Sequence, residues 1–154
     1  MIARPKDSNP QAERIRKLFC EWIEPGECTR LFDQFPIEEQ DRLSALAGLL
    51  PDERALVACR LHEECWTLLT THRLIWSLTG HQTALAWDAL ADVQLLHRIS
   101  RLHPSHSAVT TSALQVVTRD GRAHALELET GPPFFGFWTA LKLIMNSHRR
   151  AGGS

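Results

Sequence analysis

Residues 66–76 read Trp-Thr-Leu-Leu-Thr-Thr-His-Arg-Leu-Ile-Trp, two apolar runs that meet at a polar hinge of Thr70, Thr71, His72 and Arg73. In an extended chain successive side chains point to opposite faces. Trp66, Leu68 and Thr70 therefore share one face of the first run, and Cys65, Thr67, Leu69 and Thr71 the other. Leu74, Trp76 and Leu78 share a face of the second run. Threonine, tryptophan, leucine and isoleucine suit a pleated, half-buried surface. The stretch predicts two adjacent antiparallel strands, the second ending near Gly80, on which the neighbouring elements must pack.

With 154 residues, 44% hydrophobic and 23% charged, the chain is long enough to bury one core. Its net charge of −1 conceals an asymmetry: seven basic and eleven acidic residues up to Glu53, then ten and seven after it, with all eight histidines in the second part. Neither balance is strong enough to announce nucleic acid as a partner. Cys20, Cys28, Cys59 and Cys65 lack the close paired spacing of a structural zinc site. At the amino end Arg4, Lys6 and Asp7 interrupt any apolar run, so no secretory leader is read there. No apolar stretch approaches the roughly 20 residues that span a bilayer. These features predict a soluble, cytoplasmic protein with reduced thiols, no metal and no cofactor.

In chain order, residues 1–9 are polar and form an expected flexible end. Ile15, Leu18, Phe19, Trp22 and Ile23 recur at spacings of three and four until Pro25 and Gly26, which predicts an amphipathic helix. Leu31, Phe32 and Phe35 follow, and Pro36 opens a second helix with a stripe of Leu43, Leu46, Ala47 and Leu50. From Arg54 the period becomes strand-like, which sets a helical segment over residues 10–51 apart from a β-rich domain over 52–148. Strands are expected over 54–61, in the central pair, and over 82–87, 92–99, 110–118 and 122–129. The Asp120-Gly121 pair between the last two is a strong hairpin signal. Pro132 and Pro133 then start a helix whose Phe134, Phe137, Trp138, Leu141, Ile144 and Met145 make one apolar face, before a tail over 149–154. The predicted fold is α+β: amino-terminal helices, then a seven-stranded antiparallel barrel or sandwich closed by a carboxyl-terminal helix.

The run Leu69-Thr70-Thr71-His72-Arg73-Leu74-Ile75 resembles the junction of the second and third strands in bacterial pleckstrin-homology-like (PH-like) and GRAM-like domains. Residues 85–93 resemble their fourth strand, turn and fifth strand, and Asp120-Gly121 their last hairpin before the closing helix. The resemblance covers roughly residues 52–148 and implies a binding module, for phosphoinositides in some members and proteins in many. Where the phosphoinositide type carries basic residues around its first inter-strand loop, this sequence has Arg60 followed by His62, Glu63 and Glu64, and two carboxylates there repel phosphate. Membrane lipid is thus the alternative ligand, disfavoured by Glu63 and Glu64.

The candidate binding residues are Arg73 and Trp76 in the central strands, and His97, Arg98, Arg101, His103 and His106 around a long polar connection. Arg73 is expected to pair with a carboxylate or lie over an indole, or to hold an anionic ligand. Trp66, Trp76, Trp87 and Trp138 read as core, with an indole N–H available to line a groove. The histidines titrate near neutrality and can turn their loop cationic. His103 and His106 can reach one ion, but zinc ordinarily takes three or four protein ligands. A cysteine-dependent enzyme is the least favoured class: His62 and Cys65 fall on opposite faces of an alternating strand, and no glycine-rich phosphate loop or serine elbow is present. The expected function is a non-catalytic module that binds a protein or peptide, or a second copy of itself. Binding would use an exposed strand edge or a groove beside the closing helix, which the acidic helical segment could fill.

Overall fold

Alternating strands have two apolar faces, and the architecture is the way this chain covers both. The computed structural model describes residues 10–24, 26–100 and 111–152. In order these form α1 (Pro10–Lys17), β1 (Thr29–Leu31), α2 (Ile37–Ala47), β2 (Ala55–His62), β3 (Cys65–Thr70), β4 (Arg73–Leu78), β5 (His81–Ala86), β6 (Leu90–Ser100), β7 (Thr111–Thr118), β8 (Ala123–Glu129) and α3 (Pro132–Gly152). A π-helical turn, Leu18–Trp22, continues α1, and short 3₁₀ turns, Phe32–Gln34 and Trp87–Ala89, precede α2 and β6.

All strand pairs are antiparallel, in one sheet of order β1-β2-β3-β4-β5 and another of order β6-β7-β8. The α+β mix of helices and antiparallel sheets is as expected, but the strand number and the barrel are corrected: there are eight strands among the described residues, not seven, and the two sheets do not close into a barrel. The additional strand is β1, inside the segment expected to be helical. Thr29, Arg30 and Leu31 are buried, exposed and buried in turn, and oppose Cys59, Ala58 and Val57. Three residues are too few to register as a period in sequence.

The period of two sorts the central strands between two clusters. Val57, Cys59, Leu69, Leu74 and Trp76 face the main core, which also holds Val93 of β6, Leu114 and Val116 of β7, and Leu126 and Leu128 of β8. Ala58, Trp66, Leu68 and Ile75 face the other way and meet Leu43 and Ala47 of α2. Every residue of β3 is consequently buried. The α3 helix adds Phe134, Phe137, Ala140, Leu141, Ile144 and Met145 to the main core, each large side chain contributing about 1.5–3 kcal/mol on burial.

Residues 10–51 are built into both layers. Ala12, Ile15 and Phe19 belong to the main core, and the Phe19 ring meets Phe137 of α3 edge-on at 5.6 Å. Gly136 permits that crossing, because a Cβ there would stand 2.8 Å from the Phe19 ring. The buried Glu129 carboxylate of β8 accepts the backbone N–H groups of Glu27 at 2.8 Å and Cys28 at 3.0 Å, which ties the start of β1 to the second sheet. The change of period at Arg54 marks a change of secondary structure within a continuous core.

Candidate functional site

Arg73 and Trp76 do not form one site. Arg73 opens β4 and donates through Nε and Nη2 to the Glu53 carboxylate at 2.9 and 2.7 Å, with a further bond from Nη2 to the Gly48 carbonyl at 3.2 Å. Glu53 also accepts the Thr70 hydroxyl and the Leu50 N–H. The arginine thus clamps the chain after α2 onto the β3–β4 hairpin, using the carboxylate pairing expected of it. Three residues on, Trp76 points to the other face, into the main core, edge-on to His124 at 5.7 Å. His97 and Arg98 lie on the β6 backbone where pairing with β7 shifts register between Leu96 and Ile99. Arg101, His103 and His106 lie outside the described residues.

Two buried thiols, Cys59 and Cys65, and the half-buried Cys28 are displaced away from reactivity. Burial pushes Cys59 and Cys65 up to about 12, and burial with the Glu129 charge pushes Cys28 up to about 11. A thiol nucleophile needs displacement in the opposite direction. Among the described residues no three histidines, cysteines or carboxylates are arranged to hold a metal ion. Among them too, no helix is long and apolar enough to cross a membrane.

The surface that stands out is the outer edge of β5, and it is built from local chemistry. Thr79 and Gly80, with φ of 50° and 83°, join β4 to β5 in a two-residue loop of the type I′ kind, whose twist matches that of the strands. Glycine adopts that φ freely, whereas threonine does not; the Thr79 hydroxyl is bound to the Leu78 carbonyl at 2.7 Å. Such a loop is flanked by a hydrogen-bonded pair, here Leu78 and His81. At the far end the Trp87 N–H donates to the His72 carbonyl at 3.0 Å, so residue 87 also faces β4. Antiparallel pairs alternate, so residues 81, 83, 85 and 87 bond inward, while Gln82, Ala84 and Ala86 direct N–H and C=O groups away from β4. The clamp agrees with this phase: Arg73, opposite Ala86, sends its own N–H toward β3, to the Thr70 hydroxyl oxygen.

Gln82, Ala84 and Ala86 are exposed, and no described strand lies beyond them. Residues 81–86 contain neither a charge nor a proline, the usual protections of a strand edge. At the opposite edge of the sheet β1 is only three residues long, with Arg30 exposed and the Thr29 carbonyl taken by the Gly26 N–H at 3.0 Å. The expectation of an exposed strand edge did not single out β5. Its signal was a neutral alternating run between two turns, and only pairing identifies such a run as an edge.

A second exposed feature flanks the α1–α3 crossing. Trp22 in the π turn is 76% exposed and Phe135 at the start of α3 is 58% exposed. A cleft of about 150 Å³ lies beside the π turn, lined by Phe19, Cys20, Ile23, Thr29, Arg30 and Leu31 among others.

No family model matches the sequence, and none of the curated proteins does. Among solved structures, the chain is similar to the crystal structure of the C-terminal domain of an unknown protein from Leishmania infantum. Identity is 16%, the match covers 71% of this chain and 99% of that one, and the TM-score is 0.40.

Proposed function

We propose that the chain is a PH-like, non-catalytic interaction module that binds an extended, uncharged protein segment by strand addition to β5. The observation that carries this reading is the row of outward N–H and C=O groups of Gln82, Ala84 and Ala86 on an exposed, charge-free strand. An added strand would satisfy these groups with main-chain hydrogen bonds, the small alanines would let it approach to normal inter-strand spacing, and neighbouring side chains would set preference. The PH-like part of the reading is supported by the order of β2 to β8 followed by a helix that covers the main core.

Lipid binding at the β2–β3 turn is less favoured. Arg60 is held by Glu39 at 2.7 Å, and Glu63 and Glu64 stand exposed at that turn with Glu63 paired to Arg42 at 3.2 Å.

The test is a proline at an outward position. In A84P the missing N–H is one that β4 does not use, so the fold should persist while an added strand loses a donor. Linear peptides selected from a random display library on the wild-type protein should lose binding to A84P. Peptides that bind both proteins alike would refute the β5 edge as the site.

A further inference from the structure

We infer that the strand added at β5 is β5 of a second copy, so that two chains form one continuous ten-stranded sheet about a two-fold axis at Ala84. The inference rests on the β5 edge being the binding surface and names its occupant. Two antiparallel copies of the same strand related by a two-fold axis perpendicular to the sheet keep their faces, so opposed residues must share parity. Among such registers, centring on residue 84 opposes Ala84 to Ala84, Gln82 to Ala86 and Ala86 to Gln82. All three are outward residues, so every outward N–H and C=O of both edges is satisfied. Centring on Thr83 would pair only Gln82 with Ala84 and leave Ala86 beyond the ladder.

Charge and size fit a self-pairing strand. A partner of unlike sequence would meet this edge with no charge to select it, whereas two copies meet with no like charges opposed across the ladder. Ala84 at the axis and Ala86 opposite Gln82 place small side chains where the strands approach. The Thr83 and Leu85 side chains face one another across the axis on the core side of the sheet. At each end of the ladder, His81 of one copy comes near Asp88 of the other, a ring N–H beside an exposed carboxylate, and symmetry makes that contact twice.

The mass of the full chain in solution, by light scattering across a concentration series, tests this directly. Wild type should approach the mass of a dimer as concentration rises, and A84P should stay a monomer with an unchanged far-ultraviolet circular dichroism spectrum. A cross-link then tests the register. In a C20S background, which removes the exposed native thiol, A84C should form a covalent dimer rapidly on mild oxidation, because its two copies meet at the axis. H81C should not, because its two copies lie at opposite ends of the ladder. Dimerisation of both wild type and A84P, or cross-linking of H81C in place of A84C, would overturn the inference. A wild type that stays monomeric throughout also overturns it, yet leaves strand addition standing if selected peptides still distinguish wild type from A84P.

Discussion

Replacing Glu53 by glutamine removes a charge that four hydrogen bonds are arranged to hold. The Glu53 side chain is fully buried and accepts from the Leu50 N–H at 3.1 Å, the Thr70 hydroxyl at 2.5 Å, and Arg73 Nε and Nη2 at 2.9 and 2.7 Å. Burial alone pushes its carboxyl up. The hydrogen bonds from Arg73, Thr70 and Leu50, with the Arg73 charge, outweigh it and pull the group from 4.5 down to about 2. A displacement of that size corresponds to about 3 kcal/mol of folding free energy. In the unfolded chain the carboxylate takes up its proton near 4.5, in the folded protein only near 2, so between those values the unfolded state binds more protons. The stabilisation is therefore complete above about pH 4.5 and is lost as the pH falls to about 2. Glutamine has one carbonyl oxygen where the carboxylate has two: turned toward Leu50 it keeps that bond and one arm of Arg73, but sets its amide N–H groups against the Thr70 hydroxyl and the other arm. E53Q should cost about 3 kcal/mol at neutral pH, a fall of roughly 6–12 °C in Tm for a chain of 154 residues. Urea unfolding followed by tryptophan fluorescence measures the gap between wild type and E53Q. It should be full at neutral pH and shrink steadily through the acid range. A gap below about 1 kcal/mol at neutral pH would refute the assignment of this stability to a paired buried charge. So would a gap that acid leaves unchanged.

The thiols should separate by burial: Cys20 is exposed, while Cys28, Cys59 and Cys65 are held protonated at neutral pH. An aromatic disulfide reagent should label one thiol quickly and the other three only on unfolding, and a second fast thiol would contradict their placement. Gly136→Ala should drive a methyl group into the Phe19 ring. The overpacking cost of about 1–3 kcal/mol exceeds the about 1 kcal/mol that alanine gains over glycine in a helix, leaving a net loss near 1 kcal/mol by thermal unfolding. Wild-type stability would show that the α1–α3 crossing tolerates the added methyl.

By itself the sequence determined the faces. The alternation from Cys65 to Leu78 assigned side chains to the two sides of β3 and β4, and the apolar face of residues 134–145 marked α3, because periods of two and 3.6 are written locally and need no partner to be read. The hairpin turns were legible for the same reason: Gly80, and Asp120 with Gly121, carry their own backbone preferences. Only the tertiary structure decided what met those faces. It drew Thr29–Leu31 into a strand, gave Arg73 a carboxylate 20 residues earlier in the chain, and brought Glu129 to N–H groups 102 and 101 residues away. It also decided which neutral strand has no described strand on its outer side. A residue can declare its own face and its own turn, but whether an N–H group points at a neighbouring strand or at open solvent depends on where the rest of the chain has gone.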